Sequence, residues 1–87
     1  MTIPAPWSDL TADEKRARVL DVAGEVFARD GVDVPMPVLA ERIGVGVGSI
    51  YRQVGTKDDL IAQLVVARAR ALRERFLATL DEPAPWA

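Results

Sequence analysis

The sequence predicts an all-α fold of four helices, and three observations carry that prediction. Apolar residues recur at the helical period, as at Val19, Leu20, Ala23, Val26 and Phe27. Glycine and proline punctuate the chain at Gly31 to Pro37, Gly44 to Gly48 and Gly55, leaving runs of helical length between them. Threonine-led start signals, at Thr11 and Thr56, stand ahead of the two longest runs.

The first ten residues, with Pro4, Pro6 and Trp7, read as an irregular arm. The string Pro-Ala-Pro-Trp at 4–7 returns at 83–86, too short to be a repeat unit. Thr11-Ala12-Asp13-Glu14 is a capping box, which starts a helix over about Ala12 to Arg29. Gly31 follows as a left-handed C-terminal cap. Pro35 is placed to open a second helix in its first turn, where a missing amide costs little. That helix runs from Met36 to Ile43 and stops at Gly44. After the Gly44-Val45-Gly46 turn a third short helix covers Val47 to Val54, and Gly55 breaks it. Thr56 then caps a long helix that reaches about Leu80, with Asp58 and Asp59 at the positive end of its dipole. Its apolar residues Leu60, Ile61, Leu64, Val65, Leu72 and Phe76 form no single stripe, which calls for more than one packing partner.

Composition narrows function from the other side. Eighty-seven residues make one small domain, and 49% hydrophobic with 28% charged residues is a globular balance. The chain has no cysteine and no histidine. Disulfide scaffolds, thiolate metal sites and Ser–His or Cys–His nucleophiles therefore have no residues to build on. The expectation is a non-enzyme with no cofactor and no metal. No run is apolar enough to span a membrane, and the N-terminus lacks the pattern of a secretory signal, so the expected location is cytoplasmic. The net charge of −2 argues against bulk attraction to nucleic acid. Yet the segment from Arg42 to Lys57 carries Arg42, Arg52 and Lys57 and no acid.

That basic segment coincides with a short helix, a glycine turn and a second short helix, the elements of a helix-turn-helix. Leu39, Ala40, Val45, Ile50 and Val54 supply an inner side, while Ser49, Tyr51, Arg52 and Gln53 can face outward. Lys57 begins the last helix, where an ammonium and free amides together suit a phosphate. A plain helical bundle with a solvated polar face fits the same pattern.

From Arg16 to Leu60 the chain resembles the N-terminal DNA-binding domain of the TetR family of bacterial transcriptional repressors. The resemblance rests on Arg16, Val19, Leu20, Ala23, Val26, Phe27 and Gly31, then on Leu39-Ala40, Gly44-Val45-Gly46, Gly48-Ser49-Ile50-Tyr51 and Thr56-Lys57-Asp58-Asp59-Leu60, in order and at the family's spacing. It implies a homeodomain-like three-helix core plus a long linking helix. It further implies sequence-specific binding to an operator in double-stranded DNA, with Val47, Ser49, Tyr51, Arg52 and Gln53 on the recognition helix. Tyr51 and Lys57 fall at phosphate-contacting positions, with Thr56 beside them in the DNA-binding set, Arg16 reaching from helix one, and Pro35, Met36 and Pro37 at the start of helix two. Gly46 stands where the family has serine, Gln53 where it has histidine and Val54 where it has an aromatic residue, which predicts a more apolar recognition surface than the family norm.

The expected organisation is an arm over 1–10, a helix-turn-helix core over 11–57, a linking helix over 58–81 and a tail over 82–87. The family's ligand-binding domain is absent from these 87 residues, so no inducer site is expected. Val65, Leu72, Phe76 and Leu77 on the long helix form a candidate partner surface, for a homodimer or a related chain. An alternative function follows: a protein-interaction module that pairs through this helix and binds DNA little by itself. Gly44-Val45-Gly46-Val47-Gly48 lacks the strand, spacing and lysine of a nucleotide-binding loop. Asp58 and Asp59 project about 100° apart on a helix and suit its dipole better than acid–base chemistry. Arg68, Arg70, Arg73 and Arg75 read as a solvated surface.

Overall fold

A computed structural model describes residues 5–81; the predicted tail over 82–87, the start of the arm and most of the repeated Pro-Ala-Pro-Trp strings lie outside the described residues. Four α-helices follow one another: α1 (Ala12–Asp30), α2 (Met36–Ile43), α3 (Val47–Val54) and α4 (Lys57–Asp81). The fold is all-α, as the sequence predicts.

The arm is more ordered than predicted. Trp7–Asp9 make one 3-10 turn, and the half-buried Trp7 ring packs against the core. The Arg18 guanidinium donates to the Ala5 carbonyl at 3.0 Å, and the Lys15 ammonium lies 5.8 Å from the centroid of the Trp7 ring. Trp7 supplies apolar area that a small domain needs, and Lys15 of α1 lies over its ring.

The capping box forms in full. The Glu14 amide donates to Thr11 Oγ1 at 3.2 Å and the Thr11 amide donates to Glu14 Oε1 at 3.0 Å. The Thr11 amide, then its hydroxyl, hold the Glu14 carboxyl below its usual range. At the other end Gly31 has φ 92° and ψ 166°, so it is not the left-handed cap predicted. Its amide still donates to the Phe27 carbonyl, but an extended ψ swings the chain outward into the connection instead of curling it over the helix end. Gly44 is the left-handed cap, at φ 89° and ψ 29°, and the amides of Gly44 and Val45 both donate to the Ala40 carbonyl.

Pro35 is the residue before α2 and not in its first turn. Its carbonyl accepts from the Val38 and Leu39 amides, so the proline that lacks a donor serves as acceptor for the helix start.

Val19, Ala23 and Val26 of α1, Met36, Leu39 and Ala40 of α2, Ile50 and Val54 of α3 and Leu60 of α4 form the buried core. Each large side chain fully buried here contributes about 1.5–3 kcal/mol. The start of α4 is tied down by polar contacts as well. Thr56 and Asp59 exchange amide-to-side-chain hydrogen bonds of 3.0 and 3.2 Å, and Gln63 Nε2 donates to the last carbonyl of α3, at Val54, at 2.9 Å. Beyond Leu64 the character of α4 changes: every residue from 65 to 81 is exposed.

Candidate nucleic-acid interface

The helix-turn-helix is built from the inside outward. Leu39 and Ala40 of α2 and Ile50 and Val54 of α3 bury their side chains, and small Ala40 allows the two short helices to approach. With Ile50 and Val54 turned inward, the helical period sends Tyr51, Gly48 and Arg52 outward within an arc of about 100°. All three are exposed, Tyr51 by 47%. Ser49 and Gln53 lie beyond Arg52 on one side of that arc and are half-buried, and Val47, on the other side, is half-buried against the core. No side chain caps the start of α3, because Gly46 stands there.

The other predicted residues divide into those that remain available and those that do not. Pro35 and Pro37 are exposed at the start of α2. Met36 between them is only 4% exposed, and its side chain belongs to the core, which removes it from the surface predicted for it. The amide supply at this helix start is also thin: Pro37 has none, and the Val38 amide is taken by the Pro35 carbonyl. Thr56 is exposed, but its amide and hydroxyl are both engaged with Asp59. That bond pattern leaves the amides of Lys57 and Asp58 as the unpaired donors of the first turn of α4.

The Lys57 ammonium lies 5.7 Å from the centroid of the Phe27 ring, so its stem crosses from α4 to α1. Arg16 is exposed, beside Leu20 of α1 and Gln63, Val66 and Arg70 of α4, along a groove of about 240 Å³ with no residue of α3 in its lining. The structure thus groups Val47, Ser49, Tyr51, Arg52 and Gln53 on one short helix, and sets Arg16 on a different side. Val65, Leu72, Phe76 and Leu77 are all exposed on distal α4, together with Val66 and Leu80.

Two exposed residues of the helix-turn-helix were left unassigned by sequence reasoning. Arg42 is exposed in the last turn of α2, and its signal was the acid-free window it opens. Gly48 lies at the centre of the exposed arc of α3, and a Cβ there would meet no atom within 4 Å. Packing does not require a glycine at this position, whereas close approach of the helix backbone to another molecule would.

Residues 19–64 match the model of a family described as bacterial regulatory proteins, tetR family. The chain belongs to the tetR family. That match starts at the first buried residue of α1 and ends at Leu64, the last residue of α4 that is not exposed. The tetR-family chain is also similar to HTH-type transcriptional regulators of Staphylococcus aureus strains USA300, NCTC 8325 / PS 47 and COL. Each is 36% identical over 50 residues, which cover 56% of this chain and 27% of the relative. The chain therefore corresponds to about a quarter of the length of these relatives. No solved structure matches it. Among the described residues no helix is long and apolar enough to cross a membrane.

Proposed function

We propose that this tetR-family domain binds double-stranded DNA through α3 and, in the cytoplasm, represses transcription at an operator. The exposed Tyr51–Gly48–Arg52 arc carries the proposal, because it lies in a segment with three cations and no acid. A helix of this kind enters the major groove, where an arginine can read guanine bidentately. Arg52, with Ser49 and Gln53 beside it on one side, reads bases in this scheme. Tyr51 and Lys57 contact phosphate, helped by the free amides at the start of α4, and Arg42 adds charge to the helix-turn-helix. Val47 lends an apolar edge, and Pro35 and Pro37 border the surface without donating to it. Met36 and Thr56 act through the fold alone. Arg16 can reach phosphate only if the duplex extends past α3 toward α1. The similarity to HTH-type transcriptional regulators favours the same reading.

The test is a salt titration of binding to random-sequence duplex DNA, with fluorescence anisotropy as the readout. Log affinity should fall linearly with log salt, and Lys57→Ala should reduce the slope by about one contact's share. Binding that ignores salt, or a slope unchanged by both Lys57→Ala and Arg52→Ala, would overturn the proposal. Repression is tested separately, by selecting an operator from a random pool and placing it between a promoter and a reporter. Unchanged reporter output in the presence of the domain would refute it.

A further inference from the structure

The first turn of α3 is Val47, Gly48, Ser49 and Ile50. Ile50 is fully buried and Gly48 has no side chain, so Val47 and Ser49 are the two side chains of this turn that reach past the backbone. Taking Ile50 as zero, Val47 lies at roughly 60°, Tyr51 at 100°, Gly48 at 160°, Arg52 at 200°, Ser49 at 260° and Gln53 at 300°. The outer side of the helix is therefore uneven. One edge is the apolar Val47, the middle is bare backbone at Gly48, and Arg52, Ser49 and Gln53 place their donors beyond it.

Val47 is half-buried, with part of its side chain packed against the core and the rest open. A β-branched side chain in a helix has one strongly preferred rotamer, so this one is presented in a fixed position. It is also short, and it reaches another molecule only if the helix backbone comes close. Gly48 permits that approach, because a Cβ there would meet nothing within 4 Å.

Chemistry restricts what a valine can meet in the major groove. Guanine, adenine and cytosine present only acceptors and donors there, and thymine alone adds an apolar C5-methyl group. Set against a polar base edge, a valine strips water from a group with which it cannot pair, and that arrangement is disfavoured. Set against the methyl, it removes apolar area from water on both sides. Recognition helices meet base edges with their N-terminal residues, and Val47 is the first residue of α3.

From the apolar edge at Val47 and the bare backbone beside it we infer that Val47 is a specificity-determining residue that reads the C5-methyl of a thymine in the operator. The inference rests on the proposed entry of α3 into the major groove and adds the base that its apolar edge selects. Methyl readout by Val47 and hydrogen-bond readout by Arg52 then lie on different sides of the strip at Gly48.

The test uses the 87-residue chain and an operator selected from a random pool. Each thymine is replaced in turn by deoxyuridine, which lacks the methyl and keeps every hydrogen-bonding group, and affinity is read by fluorescence anisotropy. At one thymine position per bound domain the change should weaken binding about fourfold, the contribution of one buried methyl group. That difference should vanish in Val47→Ala, which should bind the thymine and deoxyuridine operators equally. Thermal melts check that Val47→Ala stays folded; if it does not, Val47→Thr keeps the shape, and its hydroxyl should bring the difference below about twofold. Silence at every thymine, with the salt dependence of binding retained, would overturn the inference and leave α3 a DNA reader. A deoxyuridine effect of equal size in Val47→Ala would assign the methyl to another side chain and overturn it as well. So would salt-dependent binding from which no sequence can be selected. Binding without salt dependence is a separate result: it removes the DNA reading itself, and the inference falls with it.

Discussion

Residues 19–64 and residues 65–81 are both helical, yet they are held by different things. In the first region each helix turns one side into a shared core, and helix ends are finished by Gly44 and by Thr56 with Asp59, as Thr11 with Glu14 finishes the start of α1 just ahead of it. In the second region every residue is exposed, and helicity continues from a docked start without tertiary burial. The family match ends at this same boundary. The contrast teaches that caps and propensity suffice to extend a helix, while a buried side is needed to fix where it points.

The sharpest way to break the comparison is to remove the same side chain from each region. Leu39 is fully buried, and Leu39→Ala should cost roughly 2–5 kcal/mol, enough to unfold much of a domain this small. Leu72→Ala should change stability by no more than about 0.5 kcal/mol. Urea denaturation followed by circular dichroism measures both, and a costly Leu72→Ala would mean that distal α4 is already covered.

A second pair compares arginines. Against a selected operator, Arg52→Ala should weaken binding by about 1–3 kcal/mol without moving the melting temperature. Arg70→Ala should leave operator affinity nearly unchanged. Equal losses from the two would merge the surfaces that the structure separates.

Two glycines inside helices sharpen the comparison further. A Cβ at Gly24 would meet the Leu64 side chain at 3.7 Å, an ordinary contact, so Gly24→Ala should stabilise by about 0.5–1 kcal/mol. Gly48→Ala should stabilise the fold by a similar amount and weaken DNA binding, because the new methyl stands in the exposed arc of α3. Thermal melts and anisotropy read the two effects separately; a Gly48→Ala variant with undiminished DNA affinity would deny close backbone approach.

The smallest effect concerns pH. The carboxyl of Glu14 is lowered by the Thr11 amide and hydroxyl, so the capping box favours folding fully above the ordinary carboxylate range. That contribution fades as the pH falls through this range to the lowered value. Glu14→Gln should flatten this part of the stability–pH curve, measured by melting across acid pH, and distal α4 should not respond.

Much of this molecule was legible in the chain itself because its signals are local. The limits of α2 and α3 follow from Pro35, Gly44, Gly46 and Gly55, each acting on its own backbone, and the capping box at Thr11 needs only residues 11–14. Grouping Ser49, Tyr51, Arg52 and Gln53 on one helix needs only the helical period. The candidate site was legible to the same depth: which residues share α3, but not which neighbours come with them. Met36 shows why. A residue at the start of a helix looks available by position, and whether its side chain turns outward depends on what α1 places above it. Arg16 shows the same, since its separation from α3 depends on where α4 crosses α1. The identity of Gly31 as a stop was readable, but its ψ was not, because the direction of exit is set by where α2 must dock.

What the sequence determined by itself, then, is the helices, their ends, the order of the helix-turn-helix and its local charge, all products of contacts within a few residues. The tertiary structure alone decided that Met36 is core and Lys57 lies over Phe27. It also decided that the apolar residues of α4 divide at Leu64 into a part that packs on the core and a part that is exposed. Those outcomes depend on how one helix rotates against another, and that rotation is set by the summed packing of residues far apart in the chain.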